Sequence, residues 1–171
     1  ITEDEFNLIC ECSQVIGKFN VFCDYYYMLE KSFDETLSYL AMVESRDFKL
    51  KNQMDKHVMV TEINRLFIGT LNMFYNYATY YLIDIIELFD KDSEEYKKVK
   101  STQSKYFDAK FEYRLLYGLR NYTDHGKLPI TIVSNNAKNN VRCFLISKDE
   151  MSKCEYFNRN LKNDIKKLTD N

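Results

Sequence analysis

Three residues near position 120 have side chains that can act together on a phosphate group. Arg120, Asn121 and His125 lie in the segment Leu119–Gly126. Imidazole moves protons near neutral pH, so His125 is a candidate general base or acid. A guanidinium stays charged and holds two phosphoryl oxygens in a fork, so Arg120 is a candidate for binding an anion. Asn121 is a candidate for orienting either group.

This segment lies at the predicted end of a helix. Residues 104–124 keep apolar side chains on one face, and Gly126 and Pro129 then stop the helix. On an ideal helix, Arg120 and His125 point about 140° apart. They converge only if the helix unwinds near Gly126, or if Arg120 of one chain faces His125 of another.

The rest of the chain predicts an all-α bundle in one domain, residues 1–171, because apolar residues recur at helical spacing. A capping box, Thr2-x-x-Glu5, begins a first helix that ends near Gly17, and a second helix covers about 24–44. Residues 45–56 are polar and predict a connection. Three further segments are predicted as helical: a long central helix over 58–90 with a core stripe of Phe74, Tyr77 and Tyr81, a helix start at 92–95, and residues 148–169.

A small β-hairpin is predicted after the helix that carries Arg120. Two runs rich in β-branched residues, Pro129–Val133 and Val141–Ile146, flank an Asn-rich turn.

Composition and charge narrow the class of protein. With 4 Gly and 1 Pro the chain has too few turn residues for a sandwich or barrel. Its five Cys fit no zinc motif, so we expect free or buried thiols, a cytoplasmic protein, and no metal or cofactor. Polar residues interrupt the long helix too often for a membrane span.

The charge is divided unevenly along the chain. Residues 1–96 carry 8 Lys and Arg against 18 Asp and Glu (net −10), and residues 97–171 carry 16 Lys and Arg against 8 Asp and Glu (net +8). The basic half is suited to a polyanion.

The order Arg120-Asn121-x-x-x-His125 at a helix end resembles the R-x4-6-H signature of the HEPN superfamily (higher eukaryotes and prokaryotes nucleotide-binding domain). The resemblance implies a helical bundle that acts as a homodimer. It also implies a metal-independent ribonuclease (a hydrolase) of a toxin–antitoxin or phage-defence system, in which RNA is cleaved by attack of its own 2′-hydroxyl.

Under this resemblance, Arg120, Asn121 and His125 are the catalytic residues. The reaction needs both a base and an acid, whereas the segment offers one His, so we expect two copies to share one site. Basic candidates for holding RNA are Arg114, Lys110, Lys127 and Arg142. Candidates for supporting the site are Glu62, Asn64, Arg65, Tyr122 and Asp124.

Two alternatives remain open. The first is a HEPN-like dimer that binds without cleaving, such as an immunity protein or an antitoxin partner. The second is an unrelated helical protein, in which His125 is an ordinary histidine at a helix end. In that case Arg120 pairs with a carboxylate such as Glu62 or Asp124.

Overall fold

The structure is a computed structural model that describes residues 1–45, 52–136 and 141–168, with side chains described outside the segments 132–136 and 141–145. Six helices dominate the described residues, which confirms the predicted all-α class. In chain order they are α1 (Glu3–Glu44), α2 (Gln53–Phe89), α3 (Glu94–Ala109), α4 (Phe111–Asp124), α5 (Lys148–Lys153) and α6 (Arg159–Lys167).

The first two helices form a long antiparallel hairpin. The predicted capping box of α1 is present, with Thr2 N–H donating to Glu5 Oε2 at 2.8 Å and Glu5 N–H donating to Thr2 Oγ1 at 3.2 Å. The hydroxyls of Thr36 and Thr70 meet at 2.9 Å between the helices. The aromatic stripe of α2 is half-buried, and Tyr77 and Tyr81 pack against Phe22 of α1, with 5.1 and 5.9 Å between ring centroids. Phe74 packs instead against Tyr113 and Tyr117 of α4, at 5.2 and 5.4 Å.

Three predicted helix boundaries are wrong. The long helix starts at Gln53, within the segment predicted as a connection, because Asn52 caps it by accepting the N–H of Asp55. Gly17 lies inside α1 instead of ending a first helix. A mid-helix glycine costs about 1 kcal/mol, which is less than the packing of α1 on α2 supplies. The predicted helix over 104–124 belongs to two helices that meet at Lys110, whose backbone is extended (φ −109°, ψ 114°).

The last predicted helical segment is also divided, into α5 and α6. Ser147 caps the first of these helices and Asn158 caps the second, each by accepting a backbone N–H. Local side-chain caps therefore start a new helix where apolar spacing alone suggested a continuous one.

The main core lies where α2, α4, α5 and α6 meet. Its buried members are Leu71, Leu119, Tyr122, Met151, Phe157, Leu161 and Ile165. Gly118 lets α4 approach α6 closely, because a Cβ at this position would overlap Leu161 Cδ2. The core thus fixes α4, the helix that carries Arg120, against the C-terminal helices.

Between α4 and α5, two short strands pair in antiparallel register. They are β1 (Ile132–Asn136) and β2 (Val141–Leu145), with Ile132 opposite Leu145 and Asn136 opposite Val141. The predicted Asn-rich turn falls partly on residues 137–140, and the predicted 45–56 connection partly on 46–51. Both ranges lie outside the described residues.

Candidate functional site

The motif residues lie on the last turn of α4 and just beyond it. Gly118, Leu119 and Tyr122 form the buried face of this helix. Gly126 has a φ of +74° and donates its N–H to Thr123 O at 3.0 Å, which ends the helix. His125 is the last residue before this turn and is exposed.

Arg120 lies against α2. Its guanidinium carbon is 4.0 Å from the centroid of the Tyr75 ring, and Nη1 forms an ion pair with Asp124 one turn further on. The side chain keeps 26% of its surface exposed, while its buried Nε has no hydrogen-bond partner among the described residues. Arg120 is therefore held by a carboxylate and an aromatic face, with part of its surface open to solvent.

His125 lies against a different part of the chain. Its imidazole stacks on the Tyr156 ring, which follows α5, with 3.5 Å between centroids and 6° between planes. Both residues are exposed, so the stack lies at the surface. This contact fixes the plane of the imidazole and leaves its ring edge accessible.

A single chain does not bring Arg120 and His125 together. Among the described residues no hydrogen bond or ring contact joins them, and their aromatic partners, Tyr75 and Tyr156, line different clefts. The first, here called the loop cleft, holds about 620 Å³ between the end of α4 and α5, and its lining includes Tyr122, Lys127, Glu150, Lys153 and Tyr156. The second, the tyrosine cleft, holds about 420 Å³ between α2, α3 and α4, and its lining includes Tyr75, Lys100, Gln103, Tyr113 and Tyr117.

Asn64 anchors the chain that follows His125. Its side-chain amide donates to Ile130 O at 2.8 Å and accepts from Ile130 N–H at 3.0 Å, and both residues are buried. A third bond joins Asn64 Nδ2 to Val60 O at 3.0 Å. The predicted supporting residue thus holds the loop that leaves the motif.

The other supporting candidates divide between surface and site. Glu62 pairs with Arg65 at 2.6 Å on an exposed face of α2, and the mutual hydrogen bond lowers the pKa of Glu62 and raises that of Arg65. Tyr122 donates to Glu150 Oε2 at 3.4 Å in the loop cleft. Burial is the main reason why the pKa of Tyr122 is raised, and the Glu150 carboxylate adds to it.

The four basic candidates lie in different settings. Lys127 is exposed and lines the loop cleft, and Lys110 is exposed between α3 and α4. Arg142 lies in β2 opposite Asn135, within the segment whose side chains are not described. Asn121, the third motif residue, is half-buried and makes no side-chain hydrogen bond to the described part of the chain.

Arg114 is engaged inside the molecule. Its Nη1 donates to Phe107 O at 2.9 Å and to Asp108 O at 2.5 Å, both near the end of α3, and its Nη2 pairs with Asp164 of α6 at 2.6 Å. Only 12% of the side chain is exposed. Because its guanidinium satisfies carbonyls at the end of α3 and pairs with Asp164, Arg114 joins α3, α4 and α6 and has little exposed surface for RNA.

Three residues that shape the site were not predicted. Tyr75 supports Arg120, Tyr156 supports His125, and Glu150 lines the loop cleft. Tyr75 lies one residue off the apolar stripe of α2, Tyr156 fits the apolar spacing of residues 148–169, and Glu150 lies at capping-box spacing from Ser147. No local signal distinguished them.

Within the residues whose side chains are described, no group of three or more His, Cys, Asp and Glu is arranged to hold a metal ion. Cys10, Cys12, Cys23 and Cys154 are free thiols, and the first three are exposed. None of the described helices combines the length and apolarity that crossing a membrane requires.

Comparisons of the chain with protein-family models, with curated proteins and with solved structures found no match. The resemblance to the HEPN superfamily therefore depends on the motif residues and the helical class alone.

Proposed function

We propose that this protein is a metal-independent endoribonuclease of HEPN type that works as a homodimer. The observation that carries the proposal is the placement of Arg120-Asn121-x-x-x-His125 at the end of α4, with His125 exposed and Arg120 partly exposed. An accessible imidazole and a permanent cation are the two groups that RNA cleavage through its own 2′-hydroxyl requires. A role in toxin–antitoxin or phage defence belongs to the same proposal.

In the proposed reaction, the 2′-oxygen of RNA attacks the adjacent phosphorus and the bond from phosphorus to the 5′-oxygen breaks. One His125 takes the proton of the 2′-hydroxyl, and the partner's His125 gives a proton to the leaving 5′-oxygen. The products are a 2′,3′-cyclic phosphate and a free 5′-hydroxyl. Arg120 stabilises the negative charge on the five-coordinate phosphorus, and the free amide of Asn121 orients a phosphate oxygen.

The separation of Arg120 from His125 within one chain supports a shared site. In each chain Arg120 packs on Tyr75 of α2 and His125 packs on Tyr156 after α5, whereas a two-fold axis beside α4 would bring a second pair to the same phosphate. Lys127, exposed beside His125, and Lys110, exposed at the start of α4, are available to hold the RNA backbone.

The test compares cleavage of labelled single-stranded RNA in excess EDTA by the wild type, Arg120→Ala and His125→Ala. We expect each variant to lose about 100-fold or more in rate, because each removes a group that acts in the transition state. His57→Ala and Arg159→Ala are matched controls, since both residues are exposed on other helices, and they should retain wild-type rates. Equal rates in all five proteins would refute the proposal.

Mixed dimers test the shared site. When wild type is refolded with an equal amount of His125→Ala, about one quarter of random dimers carry two imidazoles. If both imidazoles serve one phosphate, the activity of the mixture is about one quarter of that of wild type alone at the same total protein concentration. If each chain acts independently, the mixture retains about half of that activity. Activity in a strictly monomeric protein would also contradict the proposal.

A non-catalytic binding dimer is the second candidate, and one observation favours it. Asp124 forms an ion pair with Arg120 and so neutralises the cation that the reaction needs. If this pair opens when RNA binds, Asp124→Asn should raise RNA affinity severalfold and leave cleavage intact. If the second candidate is right, RNA binds to the wild type and no cyclic phosphate forms under any condition.

A further inference from the structure

The loop cleft has the size and walls of a binding site for a single nucleotide. Its volume of about 620 Å³ lies within the range of ligand pockets, and its wall contains two lysines, Lys127 and Lys153, and two glutamates, Glu150 and Glu155. The lysines are suited to a phosphate, and the carboxylates are suited to accept hydrogen bonds from a base.

The Glu150 carboxylate does not cap its own helix, although Glu150 occupies the position from which Glu5 caps α1. Glu150 is the third residue of α5, where Ser147 Oγ accepts its N–H at 3.2 Å, just as Glu5 is the third residue of α1. In α1 the Glu5 carboxylate reaches back to the cap N–H at 2.8 Å, whereas no such return bond is formed by Glu150 among the described contacts. Its carboxylate lines the loop cleft and accepts a hydrogen bond from Tyr122 instead.

The Tyr122 hydroxyl fixes this carboxylate from the core side. Tyr122 is only 8% exposed and packs on Phe157, with 6.2 Å between ring centroids. A carboxylate has about four lone-pair sites, so the bond to Tyr122 leaves acceptors on both oxygens. No other hydrogen bond from the described residues occupies them, and they are suited to a ligand with two adjacent donors.

Tyr156 supplies an aromatic surface in the same cleft. His125 stacks on one face of this ring but is not part of the cleft lining, whereas Tyr156 is. The part of the Tyr156 ring that His125 does not cover therefore faces the cleft. Single-stranded RNA is commonly recognised by stacking a base on an aromatic side chain while polar groups read its Watson–Crick edge. The loop cleft presents both features beside His125.

We propose that the loop cleft binds a guanine base next to the cleaved phosphate, with Glu150 accepting from its N1–H and N2–H and Tyr156 stacking on its ring. Guanine alone offers two adjacent donors on its Watson–Crick edge. Adenine and cytosine offer one amino group beside an acceptor, and uracil flanks its single N–H with carbonyl oxygens that repel a carboxylate. Lys127 and Lys153 neutralise the phosphate. This inference rests on the proposed function for its substrate, RNA, and adds a specificity-determining residue.

The test measures dissociation constants of 3′-GMP, 3′-AMP, 3′-CMP and 3′-UMP by NMR shifts of the His125 imidazole, assigned with His125→Ala. We expect 3′-GMP to bind at least about tenfold more tightly than the other three, as one charge-assisted hydrogen bond corresponds to tenfold or more. Glu150→Gln should remove this preference by weakening 3′-GMP alone. Glu155→Gln, which removes the same charge from the same cleft, should keep the preference.

Two further variants test the stacking. Tyr156→Leu should weaken all four nucleotides about five- to 100-fold, and Tyr156→Phe should bind like the wild type. Equal binding of the four nucleotides by the wild type, or an equal loss of all four in Glu150→Gln, would overturn the inference.

The binding test and the cleavage test fail separately. Selective binding of 3′-GMP without RNA cleavage in EDTA would keep the guanine site and refute the ribonuclease. Cleavage without any base preference would keep the ribonuclease and refute the guanine site.

Discussion

Asn64→Ala should destabilise the whole molecule and the loop beside the motif in particular. The change removes both hydrogen bonds to Ile130 and leaves a buried N–H and a buried C=O without partners. Asn64 is 2% exposed and Ile130 is 6% exposed, so water does not readily replace the lost bonds. An unsatisfied buried group costs about 1–3 kcal/mol, which gives a loss of about 3 kcal/mol or slightly more for the pair.

The assay is urea unfolding followed by circular dichroism, with the free energy of unfolding extrapolated to water. For a chain of this length the loss corresponds to a fall in Tm of about 6–12 °C. Asn72→Ala is the matched control, because Asn72 lies two turns further along α2 and makes no side-chain hydrogen bond to the described residues. Its cost should stay below about 1 kcal/mol.

Asn64→Asp separates the two bonds. The aspartate still accepts from Ile130 N–H but cannot donate to Ile130 O while ionised, so it should destabilise the protein despite its nearly identical shape. If Asn64→Ala and Asn72→Ala lower the free energy of unfolding equally, the loop does not depend on Asn64 as its anchor.

Three further predictions concern stability, each measured by urea unfolding. Gly118→Ala should lower the free energy of unfolding by about 1–3 kcal/mol, because the added Cβ overlaps Leu161 of α6. Gly17→Ala, which has open space around it, should raise the free energy of unfolding by up to about 1 kcal/mol. An increase in both variants would contradict the close packing at Gly118. Burial raises the pKa of Tyr81 to about 12, so the phenol's contribution to the free energy of unfolding is complete below pH 10 and is lost as the pH rises towards 12, by about 2–3 kcal/mol in all. Tyr81→Phe should lessen this loss of stability at alkaline pH. If stability changes with pH in the same way in the variant and the wild type, the assignment is refuted. Arg114→Met should cost about 2–3 kcal/mol, because it removes the 2.6 Å pair to Asp164, leaves that carboxylate only Lys167 at 3.8 Å, and takes the donor from two carbonyls. Arg65→Met, at an exposed pair, should cost less than about 1 kcal/mol, and equal costs would contradict the role of Arg114 in joining the helices.

Local patterns were sufficient for much of the fold. The capping box at Thr2, the stop at Gly126 and the long apolar face of α2 depend on neighbours within one or two helical turns. Where local patterns failed, a distant contact outweighed them. Gly17 stays helical because α1 packs along α2, and Arg114 of α4 satisfies carbonyls at the end of α3.

The motif shows the same division. Helix geometry predicted that the motif lies at a helix end, that Arg120 and His125 point apart, and that Arg120 can pair with Asp124. The Arg120–Asp124 pair is present. The partners of the two groups came from elsewhere: Tyr75 from α2 and Tyr156 from the segment after α5. Periodicity does not encode such contacts, since Tyr75 lies outside the apolar stripe that predicted α2 and Tyr156 fits the apolar spacing of its own segment.

The helical class, the end of α4 and the chemical types of the side chains gathered there could be predicted from the residues alone, because these features depend on backbone geometry over a few residues. The contacts of Arg120 with Tyr75 and of His125 with Tyr156, and the position of Glu150 in the loop cleft, became known only from the fold. These contacts join segments far apart in the chain, and the packing of the core fixes which segments meet.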